Sequence, residues 1–390
     1  MKFSLAVAEF NPFHNGHKIL IDGMKREGAA VVVIMSGNFC QRGEAAVAGK
    51  YARARHAVLS GADVVLELPT VFATAPAEIF AKGAIKLLSG IRGDKTLFFG
   101  TETGEKEDFI LLADKLLGES KEYKAALKKE LSTGAPYALA CVNALKTTEE
   151  GRGLNFDVLD NPNSVLGLEY AKAIKFFGSD MDIRPIKRDN NYLSTSLVGE
   201  VCSALAIREA LAGEKKKKIK GFVPKHVYAD LNETTPTFDE IAIFKILENK
   251  SRKLREITDC TEGLENRIKA FAGGVRDLNE LIDKLETRRY TRARLKRIIV
   301  NNMLGIERSF VDKCLKSNLY LKVLAVASDK KDVLSALSGG KNKLVTRKAD
   351  FEKLTGTARS CFEKDAFCND VYNLVSGTHS NEFEMKVVSR

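Results

Sequence analysis

At 390 residues, 44% of them hydrophobic, the chain can fill a packed interior but is long for one core, so two domains are expected. No apolar stretch approaches the roughly 20 residues of a membrane span. Seven scattered cysteines without a CxxC argue against a disulfide frame or a zinc site and for a reducing, cytoplasmic setting. The net charge of +11 points to an anionic macromolecular partner.

An apolar run at residues 3–8 reads as a first strand. It is short and leads into Glu9 and Asn11, so it is not a signal peptide. The next residues are Asn11-Pro12-Phe13-His14-Asn15-Gly16-His17, a tight turn opening a helix expected over 17–27. Residues three apart share one face of a first helical turn, so His14 and His17 point the same way. The helix N-terminus adds backbone N–H groups and a positive dipole end, and Gly16 lets a ligand approach the backbone closely. Two imidazoles over a dipole end make a cradle for phosphates. A lone histidine here would read as a cap or a surface residue. Two of the chain's five, flanking a glycine, read as functional.

Continuous apolar segments at 29–35, 63–68 and 96–99 alternate with helical segments near 51–60 and 77–88. This alternation implies a parallel sheet covered on both faces, a Rossmann-like α/β unit with its ligand beyond the carboxyl ends of the strands. His14, the turn at 36–38, Pro69 and Gly100-Thr101-Glu102 converge on that rim. Residues 105–150 read as helical, with a polar break at 149–153. A helix near Asn163, a strand at 182–186, a polar turn containing Arg188 and a helix containing Ser203 and Arg208 follow. The lysine-rich stretch 213–218 reads as a charged, solvated connection, and the boundary is placed there, between 1–211 and a mainly helical 212–390. In the second part Arg288, Arg289, Tyr290, Arg292, Arg294, Lys296 and Arg297 cluster with Glu286 as the only nearby acid in sequence. Clustered, unpaired charge favours phosphate binding, so Arg288, Arg289, Arg292 and Lys296 are expected to hold RNA.

The His-x-Gly-His junction, paired with Ser203-Ala204-Leu205-Ala206-Ile207-Arg208, resembles the signatures of the HxGH nucleotidyltransferase superfamily. Residues 8–17, 35–44, 61–69, 99–102 and 161–167, with Arg289-Tyr290-Thr291-Arg292, are similar in order and content to the tRNA(Met) cytidine acetate ligase family. The resemblance covers nearly the whole chain. It implies an ATP-binding, nucleotidyltransferase-like catalytic domain over 1–211 and a basic tRNA-binding domain over 212–390. ATP contacts are implied at Val7, Ala8, Glu9, Phe10, Asn11, Pro12, Phe13, His14, Asn15, Gly16, His17, Lys18, Ile19, Leu20, Gly100, Asn163 and Arg188, with Ser203 and Arg208 on the phosphates. Tyr51 stands where an indole is common, and Leu205 where a threonine is frequent.

The implied reaction joins acetate to ATP as acetyl-adenylate, then transfers the acetyl group to N4 of the wobble cytidine of elongator tRNA(Met). Acetate is already ionised at neutral pH, so the first step needs fixed donors rather than a general base. His14, His17 and Arg208 are the expected catalytic groups. Mg²⁺ is expected with ATP, without a dedicated metal cage, and Asp63 and Glu67 read as structural. Gln41, Arg42 and Glu44 are candidates for positioning RNA or acetate, or for a lid loop. Two alternatives stand beside this reading: a small-molecule adenylyltransferase, and a non-catalytic RNA-binding protein.

Overall fold

The computed structural model describes residues 1–118, 120–133, 137–187, 202–232 and 236–390. The strands are β1 (Lys2–Ala8), β2 (Ala30–Ser36), β3 (Phe39–Cys40), β4 (Glu44–Ala45), β5 (Val64–Leu68), β6 (Asp94–Thr101), β7 (Asp182–Lys187), β8 (Tyr320–Ala327), β9 (Lys343–Val345) and β10 (Lys386–Val388). The main sheet runs β10-β8-β5-β2-β1-β6-β7, with β9 also on β8, while β3 and β4 form a small hairpin. From β5 through β2, β1 and β6 to β7 every pairing is parallel.

Strand side chains alternate between two apolar cores. Phe3, Leu5, Val32 and Ile34 face one; Ala6, Val31, Val33 and Met35 face the other. Burial on both faces is why these strands carry no polar alternation. The first core continues into helices Asp239–Glu248, Leu264–Ala272, Leu278–Leu285 and Arg292–Leu304 through Ile246, Ile268, Ile282 and Ile299.

The C-terminal half is mainly helical, but it also enters the sheet. β8 pairs antiparallel with β5, and β10 and β9 pair parallel with β8. The expected boundary at 211/212 therefore separates neither sheet nor core, and the sheet is mixed. The lysine-rich stretch is solvated, with Lys215, Lys217 and Lys218 exposed, but it is also structured. Lys216–Ile219 forms a turn of 3-10 helix, with Ile219 and Val223 buried as anchors. Among the described residues no helix is long and apolar enough to cross a membrane.

Four charges are buried together under the rim. Lys50 Nζ lies 2.8 Å from Glu67 and 2.7 Å from Glu382; Lys322 lies 2.8 Å from Glu67 and also pairs with Glu382. Burial pushes the Glu67 carboxyl up, but Lys322 and Lys50 outweigh it and hold the group below its ordinary range. Glu67 is thus a structural ion, as is Asp63, which accepts from the Val31 N–H at 2.8 Å and pairs with Arg390. A side chain at Gly37 would stand 2.5 Å from Glu67 Oε1, so glycine is required above this cluster.

Candidate active site

The junction after β1 is tightly built. Phe10 has φ of 49°, in the left-handed region, and the Asn11–Pro12 peptide is cis. His14 is the N-cap of helix Asn15–Lys25, so the helix begins two residues earlier than the pattern suggested. His14 Nδ1 accepts from the Gly16 N–H at 3.0 Å, and His17 Nδ1 accepts from the His14 N–H at 3.3 Å. This is a reciprocal capping box made from two imidazoles. A neutral ring that accepts at Nδ1 carries its proton on Nε2, so the backbone fixes both rings as Nε2–H donors. Their centroids are 3.8 Å apart, and Phe10 meets His17 edge-on at 4.9 Å. The capping role of a histidine and the functional one coincide here: one nitrogen of each ring caps the helix, and the other carries a proton.

A pocket at the carboxyl ends of β1 and β6 is lined by Val7, Ala8, Glu9, Phe10, Asn11, His14, His17, Leu20, Gly100, Asn163 and Arg208. The structure thus brings together most residues that the sequence placed there. Phe13 lies in the core, Lys18 pairs with Asp22 at 2.7 Å, and Ile19 is exposed. Asn15 donates through its backbone N–H to the Phe222 carbonyl and through its side chain to the Gly221 carbonyl. Pro12 belongs to the turn, and Gly16 to the first turn of helix Asn15–Lys25. Ser203 Oγ accepts from the Ala206 N–H as the cap of helix Ala204–Ala212, an orienting task, while Ala204 and Arg208 reach the pocket. Arg188 lies outside the described residues.

Arg208 donates to the Asn11 carbonyl at 2.9 Å and lies 3.5 Å from Glu44. Glu9 accepts from the Gln41 N–H at 2.6 Å. Burial raises its carboxyl above the ordinary range against the pull of Arg208 and Arg42. Asn163 donates to Glu102 at 2.5 Å. The apolar wall of Phe80, Phe99, Leu166 and Tyr170 was not foreseen. The spacing of 163, 166 and 170 on one helix, Pro162–Phe176, is the signal that points to it.

Arg53 is the other residue missed. It is completely buried in helix Lys50–Leu59 and donates to the carbonyls of Ala48, Glu9, Ser36 and Gly37. One guanidinium therefore fixes the turns after β1 and β2 against each other, with five donors in a rigid fork.

The basic segment near 288–297 is not an unpaired cluster. Arg289 pairs with Glu262, and Arg292 with Asp283 and Glu286. Arg297 lies 3.6 Å from Asp259, and Lys296 2.7 Å from Glu44. The Tyr290 ring is covered by Arg294. Acids distant in sequence fold onto the segment, which counting neighbours along the chain does not reveal. Gly43, with φ of 71°, rests on the backbone of the same helix, where a Cβ would stand 2.4 Å from the Lys296 carbonyl carbon.

A family model described as HIGH Nucleotidyl Transferase matches residues 1–386. The tRNA(Met) cytidine acetate ligase of Caldanaerobacter subterraneus subsp. tengcongensis is 34% identical over 379 residues, 94% of either chain. That of Acetivibrio thermocellus is 34% identical over 373 residues, 90% of either chain. The crystal structure of apo Thermotoga maritima TmcAL superposes with a TM-score of 0.92 at 26% identity, covering 100% of both chains. A crystal structure of that protein bound with alpha-thio ATP gives 0.89. With a family match over residues 1–386 and relatives at 34% identity over nearly the whole chain, the chain belongs to the tRNA(Met) cytidine acetate ligase family of HIGH nucleotidyl transferases.

Proposed function

We propose that the chain activates acetate with ATP and transfers the acetyl group to N4 of the wobble cytidine of elongator tRNA(Met). The pairing of His14 with His17 carries this reading. Both rings are fixed by backbone N–H groups as Nε2–H donors, and both line the pocket that Arg208 closes.

In the first step an acetate oxygen bonds to the α-phosphorus of ATP, and the bond to the β-phosphate oxygen breaks, releasing pyrophosphate. His14 and His17 donate to phosphate oxygens as charge grows on them, and Arg208 holds the leaving group. In the second step N4 bonds to the acetyl carbon, the carbonyl carbon–oxygen bond to AMP breaks, and the amine loses a proton. Glu9, a carboxylate in the pocket whose affinity for protons burial raises, takes that proton. Among the described residues no group of three or more His, Cys, Asp or Glu is placed to hold a metal. A Mg²⁺ arriving with ATP would take its ligands from phosphate oxygens and water. A cytoplasmic setting suits a tRNA substrate and seven free cysteines.

A small-molecule adenylyltransferase and a non-catalytic RNA-binding protein are disfavoured by relatives named tRNA(Met) cytidine acetate ligase over 90% or more of the chain. The test is incubation with ATP, labelled acetate and total tRNA, followed by digestion to nucleosides. Label on N4-acetylcytidine supports the proposal; label absent from RNA, with ATP consumed, refutes it.

A further inference from the structure

We propose that a second cleft, beside the nucleotide pocket, seats the acceptor nucleoside, with the RNA backbone held by the lysine-rich segment that follows helix Ala204–Ala212. This deepens the acetyl-transfer reading and rests on it.

The cleft has a volume of about 570 Å³. That is within the range of pockets that enclose drug-sized ligands, about 300–1,000 Å³, and far more than acetate needs. It opens between helix Ala204–Ala212 and helices Asp239–Glu248 and Leu278–Leu285. Arg208 lines both this cleft and the nucleotide pocket. A nucleophile seated in the cleft therefore lies on the other side of Arg208 from the pocket of the two histidines. Leu205, Leu278 and Ile282 give it apolar walls for the faces of a base, and Asp239 and Asn279 offer a carboxylate and an amide to its polar edge. An enzyme acting on a base must draw it out of its stack into such a pocket.

The backbone contact comes from the segment that follows the same helix. Ala212 lies at the cleft. Beyond it Lys215, Lys217, Lys218 and Lys220 are exposed, and none has an ion pair among the described residues. Gly221 and Phe222 then bond to Asn15, which holds this strip against the histidine junction. The contrast with Arg289, Arg292 and Lys296, each facing an acid, is what moves the phosphate contacts to this segment. A basic track beside a pocket for one base is the arrangement that single-stranded RNA requires.

The test uses the full chain with Asn279→Trp and, on another wall, Thr237→Trp. Both residues are exposed, so the added ring occupies the cleft rather than the core. Each variant is expected to lose about tenfold or more in kcat/KM for acetyl transfer to tRNA, with acetate-dependent ATP–pyrophosphate exchange within about twofold of wild type. Asn279→Ala, which removes the amide but leaves the cleft open, should lose clearly less than Asn279→Trp. Replacing Lys215, Lys217, Lys218 and Lys220 by Ala should flatten the salt dependence of tRNA affinity by roughly one unit of slope per lost contact. Wild-type transfer by either tryptophan variant, or an unchanged slope, overturns the assignment of the cleft and track while leaving the proposed function standing. Absence of acetate-dependent exchange in the wild-type chain overturns the proposed function and this inference together.

Discussion

Lys296 and Glu44 lie 2.7 Å apart, joining the Arg292–Leu304 helix to β4, next to Arg208 of the candidate site. Glu44 also approaches Arg208 at 3.5 Å. Burial pushes the Glu44 carboxyl up, but Arg208 and Lys296 outweigh it and hold the group below its ordinary range. Beside the shared sheet and core, this carboxylate is a further link between the two halves of the chain, and the charge of Lys296, expected to serve RNA, is balanced by Glu44.

Lys296→Ala should therefore disturb adenylation. Without Lys296, Glu44 draws Arg208 away from the pocket, and KM for ATP should rise roughly fivefold, the effect of about 1 kcal/mol at a partly exposed pair. Lys296→Arg should recover most of it. Pyrophosphate exchange at varied ATP measures this; an unchanged KM would assign Lys296 to RNA only.

Arg288 and Arg292 should behave differently towards RNA. Arg288 has no ion pair among the described residues, whereas Arg292 meets Asp283 and Glu286. If the helix entrance touches tRNA, Arg288→Ala should lower the salt slope of binding by about one, and Arg292→Ala by clearly less. Equal slopes for both variants would show that the acids release Arg292 on binding.

His17→Ala removes a donor that the backbone holds in place. Adenylate formation should slow by about a hundredfold or more, the loss of roughly 3 kcal/mol of transition-state stabilisation, with a smaller change in ATP binding. Rapid-quench measurement of acetyl-adenylate separates the two. A variant that binds ATP poorly but reacts normally once saturated would contradict the role.

Acid sensitivity has a specific source in His56. Burial drives its pKa down to about 4 from 6.5, against the pull of Asp230, whose carboxylate lies 2.9 Å from Nε2; His226 and Arg55 add to the depression. The unfolded chain takes up this proton near 6.5 and the folded chain only near 4. The stability it contributes is complete above the unfolded value and is lost as pH falls through that window, roughly 3 kcal/mol in all. His56→Gln should flatten stability between pH 4 and 6.5, measured by urea unfolding at several pH values. An unchanged slope would place the sensitivity elsewhere.

The histidine junction was legible in the sequence because His14, Gly16 and His17 lie within four residues, and local helix geometry sets their relation. The parallel strands were legible because a strand buried on both faces shows an unbroken apolar run, as at residues 31–35 of β2. What escaped depends on long-range pairing. Arg53 gains its meaning only when the carbonyls of Glu9, Ser36 and Gly37 converge on it. The acids Glu262, Asp283 and Glu44 reach the basic segment through three separate elements. The antiparallel entry of β8 beside β5 follows from the path of the intervening helices, which no local pattern encodes.

The most direct test of the account is ATP–pyrophosphate exchange by the purified chain with and without acetate, in the absence of tRNA. The fixed Nε2–H donors of His14 and His17 predict exchange that appears with acetate and collapses in His14→Ala and His17→Ala. Exchange that ignores acetate but responds to a phosphorylated metabolite, or that survives loss of both histidines, would contradict it.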